Sequence, residues 1–141
     1  MIPKVEINII KFYGWWYRCC ENKYEHYWWY SYFDEQIYSV DELIEKFSFK
    51  NYDDIVNTSG YIPLWKTDEY AVIESFLREL NSKEADKYLE RKKDAKWFSE
   101  FEYYIESHND YICTWWHEYS DKKVVSDAIK WCRENGIAYK K

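Results

Sequence analysis

The chain has 141 residues, a length that suits one domain and leaves no room for a second substantial one. Leu, Ile, Val and Phe together number only 31, but 9 Trp and 16 Tyr supply the missing apolar area and exclude disorder, while 3 Gly and 2 Pro exclude collagen-like and linker sequences. Twenty Lys and Arg against 26 Asp and Glu give a net charge of −6, which disfavours nucleic-acid backbones and anionic membranes and favours basic or apolar partners.

No run of 18 apolar residues exists, and Glu6 and Asn8 interrupt the opening segment where a signal peptide needs an apolar stretch. The expected location is therefore cytoplasmic, with Cys19, Cys20, Cys113 and Cys132 as thiols, because no Cys-x-x-Cys pair is present.

In chain order, Val5–Ile9 alternates apolar and polar residues as a half-buried strand does, and the aromatic run Phe12–Tyr17 extends it past Gly14. The polar stretch Glu21-Asn22-Lys23 predicts a hairpin leading to a second aromatic strand, His26–Phe33. Ser39 and Glu42 have capping-box spacing and open a helix over Val40–Phe47. Asn57-Thr58-Ser59-Gly60 then turns into a short strand, Tyr61–Trp65, which Pro63 confines to an edge or a bulge.

The rest is helical in period. Thr67 is the expected N-cap of a helix with Tyr70, Ile73, Phe76, Leu77 and Leu80 on one stripe, followed by a charged helix over Lys83–Lys93. From Lys83 to Lys96, six basic residues outweigh four acids on what reads as a solvated face. Asp94 caps a helix buried through Trp97, Phe98, Phe101, Tyr104 and Ile105, and Asp110 caps another through Tyr111, Ile112, Trp115, Trp116 and Tyr119. Asp121 begins the last helix, with Val124, Val125, Ala128, Ile129 and Cys132 inward and Asn135-Gly136 as its left-handed end. The expectation is a single α+β domain over residues 1–141: a small antiparallel, aromatic-rich sheet from residues 1–65 packed against a C-terminal helical bundle from 66–141.

The order of Trp97-Phe98-Ser99-Glu100-Phe101, Trp115-Trp116-His117-Glu118-Tyr119 and the segment Asp127–Ile137 resembles the C-terminal region of uncharacterised protein family 0158, over roughly Tyr61–Tyr139. The resemblance implies a helical scaffold and no activity. That family's pattern carries small residues and arginines around its Phe-x-x-Phe element, whereas here Ser99, Glu100 and Glu102 stand there and leave no basic surface.

Catalytic motifs are sparse. Gly14, Gly60 and Gly136 are too far apart for a Walker loop or a dinucleotide fingerprint, and there is no Gly-x-Ser-x-Gly elbow. His117-Glu118 begins like a zincin helix, but Asp121 stands where the second histidine is needed. Cys113 and His117 are one helical turn apart, which suits a thiolate–imidazole pair or two metal ligands as well as a buried thiol beside an exposed histidine. Cys19 and Cys20, with His26, would enlarge a zinc set only if adjacent strand residues could face one ion. Asp34-Glu35 and Asp53-Asp54 read as turn residues and caps rather than catalytic pairs. No catalytic residue, metal or cofactor is therefore assigned.

The aromatic hairpin carries the functional expectation. A two-stranded ribbon with aromatics on both faces cannot bury both sets, so either wetted Tyr hydroxyls or a contact surface results. Between Asp34 and Asp54 lie seven acids and two lysines, which favours a basic protein partner. The expected protein is thus a non-enzymatic, acidic binding protein of immunity-protein or phage-inhibitor type, blocking a nuclease or another nucleic-acid-reading site. Its expected contact residues are Trp28, Trp29, Tyr30, Asp34 and Glu35. The alternative is a small-nucleotide receptor stacking the base on Trp15 and Trp16, with Arg18, Lys23 or the Lys83–Lys96 cluster on phosphate. Exposed aromatic side chains and open strand edges also predict a homodimer.

Overall fold

The computed structural model describes residues 5–14, 24–107 and 110–141. The fold is α+β, with a three-stranded antiparallel sheet in the first half and helices in the second. The sheet has the order β3-β2-β4, from β2 (Trp28–Ser31), β3 (Gln36–Ser39) and β4 (Tyr61–Pro63). Trp29 lies between Tyr38 and Pro63 in register, and Tyr30 between Ile37 and Ile62. Because alternate residues face opposite sides, these two rows belong to different faces. Pro63 sits on an edge strand, as its missing N–H requires.

The predicted first strand is corrected. Within its described part only Val5–Glu6 (β1) is extended; it pairs in parallel with β5 (Tyr139–Lys140), and Ile7–Ile10 (α1) and a 3-10 turn over Lys11–Gly14 follow. Helical spacing buries Ile7 and Ile10 and leaves Ile9 exposed, where strand alternation would have buried it. The predicted hairpin from Phe12–Tyr17 into His26–Phe33 is replaced by one between β2 and β3, and residues 15–23 lie outside the described residues.

The helix α2 (Val40–Lys46) begins with the predicted capping box: Glu42 N donates to Ser39 Oγ at 3.1 Å, and Ser39 N donates to Glu42 Oε1 at 3.1 Å. A short helix α3 (Tyr52–Val56), unforeseen in the sequence, is capped by Asn51, so Asp53 and Asp54 occupy a helical first turn. In α4 (Glu69–Leu80) the N-cap is Asp68, which accepts from Ala71 N at 3.2 Å, and not Thr67. Thr67 is buried one residue earlier; its hydroxyl donates to Asp127 Oδ2 at 2.8 Å and its N–H to Gly14 O at 2.6 Å.

The charged helix α5 is shorter than predicted, Lys83–Leu89, and α6 (Ala95–Ser107) starts on Asp94, whose Oδ1 accepts from Trp97 N at 3.0 Å. The two predicted last helices are one, α7 (Asp110–Glu134). No Gly or Pro interrupts it, and Asp121 pairs with Lys11 Nζ instead of capping. At about 1.5 Å per residue α7 is roughly 37 Å long. It ends at Gly136 (φ 66), where Ile137 N donates to Cys132 O at 2.9 Å in a Schellman closure.

This long helix serves two cores. Its first half packs Trp115, Trp116 and Tyr119 against Phe76, Leu77, Trp97 and Phe101 of α4 and α6. Its second half places Ala128, Trp131 and Cys132 against Tyr30, Leu64 and the Val5–Ile10 segment on one face of the sheet. The opposite face, through Trp29, meets Val40, Leu43 and Ile55 of α2 and α3. Among the described residues no helix is long and apolar enough to cross a membrane.

Candidate functional site

The end of the β2–β3 hairpin brings exposed aromatics and acids together. Glu35 N donates to Ser31 O at 2.9 Å and Glu35 takes φ 58, so the chain reverses over Tyr32–Glu35. Phe33 N is held by Ser31 Oγ at 3.2 Å, and Asp34 Oδ1 accepts from Gln36 N at 3.3 Å. Placed in the turn, Phe33 belongs to neither sheet face and is 74 % exposed. Its ring lies 5.6 Å from Tyr61, which in turn packs edge-on to Phe49 at 5.1 Å. Gly60, at φ 95, permits this: a Cβ there would run into the Phe33 ring. Beside them Phe47 is exposed and packs on Tyr38 at 4.8 Å.

The acids give this end its charge. Tyr38 OH donates to Asp34 Oδ2, and that bond, helped by burial, pushes the Tyr38 phenol up to about 12. At the opposite end of the β2–β3 pair, Asp41 accepts from Tyr27 OH at 2.9 Å. Glu45 and Asp53 are exposed, while Lys46 is drawn to Glu42 at 3.7 Å.

The expected contact residues divide. Trp29 and Tyr30 are each 3 % exposed and cannot touch a partner, which corrects that part of the expectation. Trp29 Nε1 donates to His26 O at 2.8 Å, and Tyr30 packs edge-on to Trp131 at 5.8 Å. Trp28 is half-buried between Tyr13 and Tyr27 at 4.4 and 5.1 Å. Helices cover both faces of the three-stranded sheet, which encloses Trp29 and Tyr30 within this chain. Asp34 is exposed and Glu35 half-buried, both at the hairpin end. Phe33 and Phe47 are exposed and Tyr61 half-buried, and none of the three is among the expected contact residues; the sequence signal for the exposure of Phe33 is its position directly before the Asp34-Glu35 turn, where a strand side chain has no sheet to face.

Trp15, Trp16, Arg18 and Lys23, the nucleotide-stacking alternative, lie outside the described residues, as do Cys19 and Cys20. Within the Lys83–Lys96 cluster, three of the phosphate candidates are engaged with acids: Arg91 meets Glu100 at 2.6 Å, Lys96 meets the same carboxylate at 4.0 Å, and Lys93 pairs with Glu74. The Lys93 ammonium, with Arg78, holds the Glu74 carboxyl below its ordinary range. Cys113 is half-buried and His117 exposed on α7, and among the described residues no three His, Cys, Asp or Glu side chains converge on a metal position. No family model, curated protein or solved structure matches this chain.

Proposed function

We propose that this is a non-enzymatic, acidic binding protein that docks its hairpin end onto a basic site of a larger protein, as an inhibitor of a nuclease or other nucleic-acid-reading protein would. One observation carries the reading: Phe33 stands out into solvent on a fixed turn, its ring tilted against Tyr61, with Asp34 adjoining. An aromatic anchor held in place before binding loses little freedom on contact, and aromatic anchors dominate interface energetics. Asp34 and Glu35 in the same turn would steer a cationic surface toward it.

Affinity capture from host lysate with wild type, Phe33→Ala and Asp34→Lys tests this proposal. The expected result is a specific partner whose recovery falls at least tenfold with either variant and declines as salt is raised, with unchanged circular dichroism. Undiminished recovery of the same partner on both folded variants overturns the assignment of this surface.

A further inference from the structure

A cleft of about 470 Å³ opens between α4, α6 and α7, and none of the hairpin-end residues lines it. That volume lies within the roughly 300–1,000 Å³ of small-molecule sites. Phe98 and Phe101 of α6 and Trp116 of α7 form its apolar wall, and Phe101 and Trp116 hold each other edge to face at 4.9 Å. The rings are thus fixed by the helical core.

Carboxylates dominate the polar lining of the cleft, Glu69, Glu102, Glu118 and Asp121 standing with one imidazole, His117, and one hydroxyl, Ser120. Glu69 from the first turn of α4 is only 3 % exposed yet lines the cavity. Glu102 and Glu118 stand exposed at its rim and form no ion pair among the described residues. Asp121 also lines it and is bound by Lys11, while no Lys or Arg contributes to the lining. Carboxylates beside low-dielectric aromatic walls focus a negative potential into the cavity and repel phosphates and carboxylates. A bare metal ion gains nothing from such walls, and no three-ligand group exists among the described residues. An organic cation suits both features, because ring faces attract ammonium groups and methylenes while carboxylates take the charge.

We infer that this cleft binds an aliphatic di- or polyamine, its hydrocarbon chain against Phe98, Phe101 and Trp116 and its ammonium groups at Glu69, Glu102 and Glu118. A linear amine with two separated charges matches carboxylates carried by three different helices better than a single-headed cation does. The site is independent of the hairpin end.

Titration calorimetry of the whole chain with putrescine, cadaverine and spermidine tests the inference, with butylamine and butanediol as single-charge and neutral controls. The expected result is saturable one-to-one binding, at least tenfold tighter for a diamine or spermidine than for butylamine, and no heat with butanediol. The Glu102→Gln/Glu118→Gln double variant, altered only at exposed positions, should weaken binding at least tenfold, whereas Asp34→Asn at the hairpin end should leave it unchanged. Absence of saturable binding, equal affinity for butylamine, no effect of the double variant while circular dichroism shows it folded, or an equal loss with Asp34→Asn would each overturn the cleft as an amine site.

Discussion

The sheet half and the helical half use the same aromatic residues in different ways. In the helical half, Phe76 of α4, Trp97 and Phe101 of α6 and Trp116 of α7 form one cluster, and Phe76 meets Trp115, Trp116 and Tyr119, so these rings are covered from within the helical half itself. In the sheet half, Trp29 is covered by α2 and α3, which follow it closely, but Tyr30 on the opposite face is covered by Trp131 from the far end of the chain. The hydrogen bond from Tyr32 OH to Asn135 O, at 2.9 Å, spans 103 residues. Periodicity assigns a residue to a face; only the arrival of a distant element decides whether that face is wet.

The largest expected effects test whether α7 makes the two halves one cooperative unit. Trp97 is 1 % exposed and its Nε1 donates to Tyr88 O at 2.7 Å; Trp131 Nε1 donates to Pro63 O at 3.0 Å. Trp97→Ala and Trp131→Ala should each cost roughly 3–5 kcal/mol in urea unfolding. Both should retain a single transition by circular dichroism and by fluorescence. Two separated transitions in either variant would show the halves unfolding independently.

Next comes a pH effect confined to the sheet half. Burial pushes the Cys132 thiol from 9.0 up to about 11. A thiol with a raised folded value stays protonated while the unfolded chain ionises, so its contribution is complete below pH 9 and is lost as pH rises toward 11. The loss should reach roughly 2–3 kcal/mol and be absent from Cys132→Ala, measured as the difference in unfolding free energy between the two proteins across that window. Parallel pH curves would remove the burial argument.

At the hairpin end, Gly60→Ala should cost about 1–2 kcal/mol, because φ 95 is strained for any Cβ and the Phe33 ring must move. It should also weaken partner capture, separating the positioning of Phe33 from its mere presence; full stability together with full capture would contradict the role given to Gly60. The smallest effect belongs to the helical surface. Glu74→Gln should cost under about 1 kcal/mol at neutral pH, since Lys93 and Arg78 are both partly solvated, and the difference should shrink in high salt. Because the Glu74 carboxyl is held low, that contribution is present above the ordinary carboxylate range and disappears as pH falls through its folded value. A loss several times larger, insensitive to salt, would mean the contact is structural rather than electrostatic.

Local chemistry made several elements legible. Ser39 with Glu42, Asp94 before Trp97, and Asn135-Gly136 each satisfy backbone groups within a few residues, so the sequence by itself determined those helix ends. It also determined the α+β class and the turn at Asp34-Glu35, and it confined Pro63 to an edge or a bulge, of which the sheet order selects the edge. Two local signals misled because they were only permissive: Asp121 can begin a helix but cannot break one, and Val5–Ile9 alternates yet the chain buries Ile7 and Ile10 at helical spacing and leaves Ile9 out. What only the tertiary structure decided is which aromatics remain outside. Trp29 and Tyr30 are enclosed, Phe33 is left out, and the carboxylates of Glu69, Glu102 and Glu118 gather around one cleft. Those outcomes depend on packing between elements distant in sequence, where burial energy is set by the covering surface and not by the residue's own neighbours.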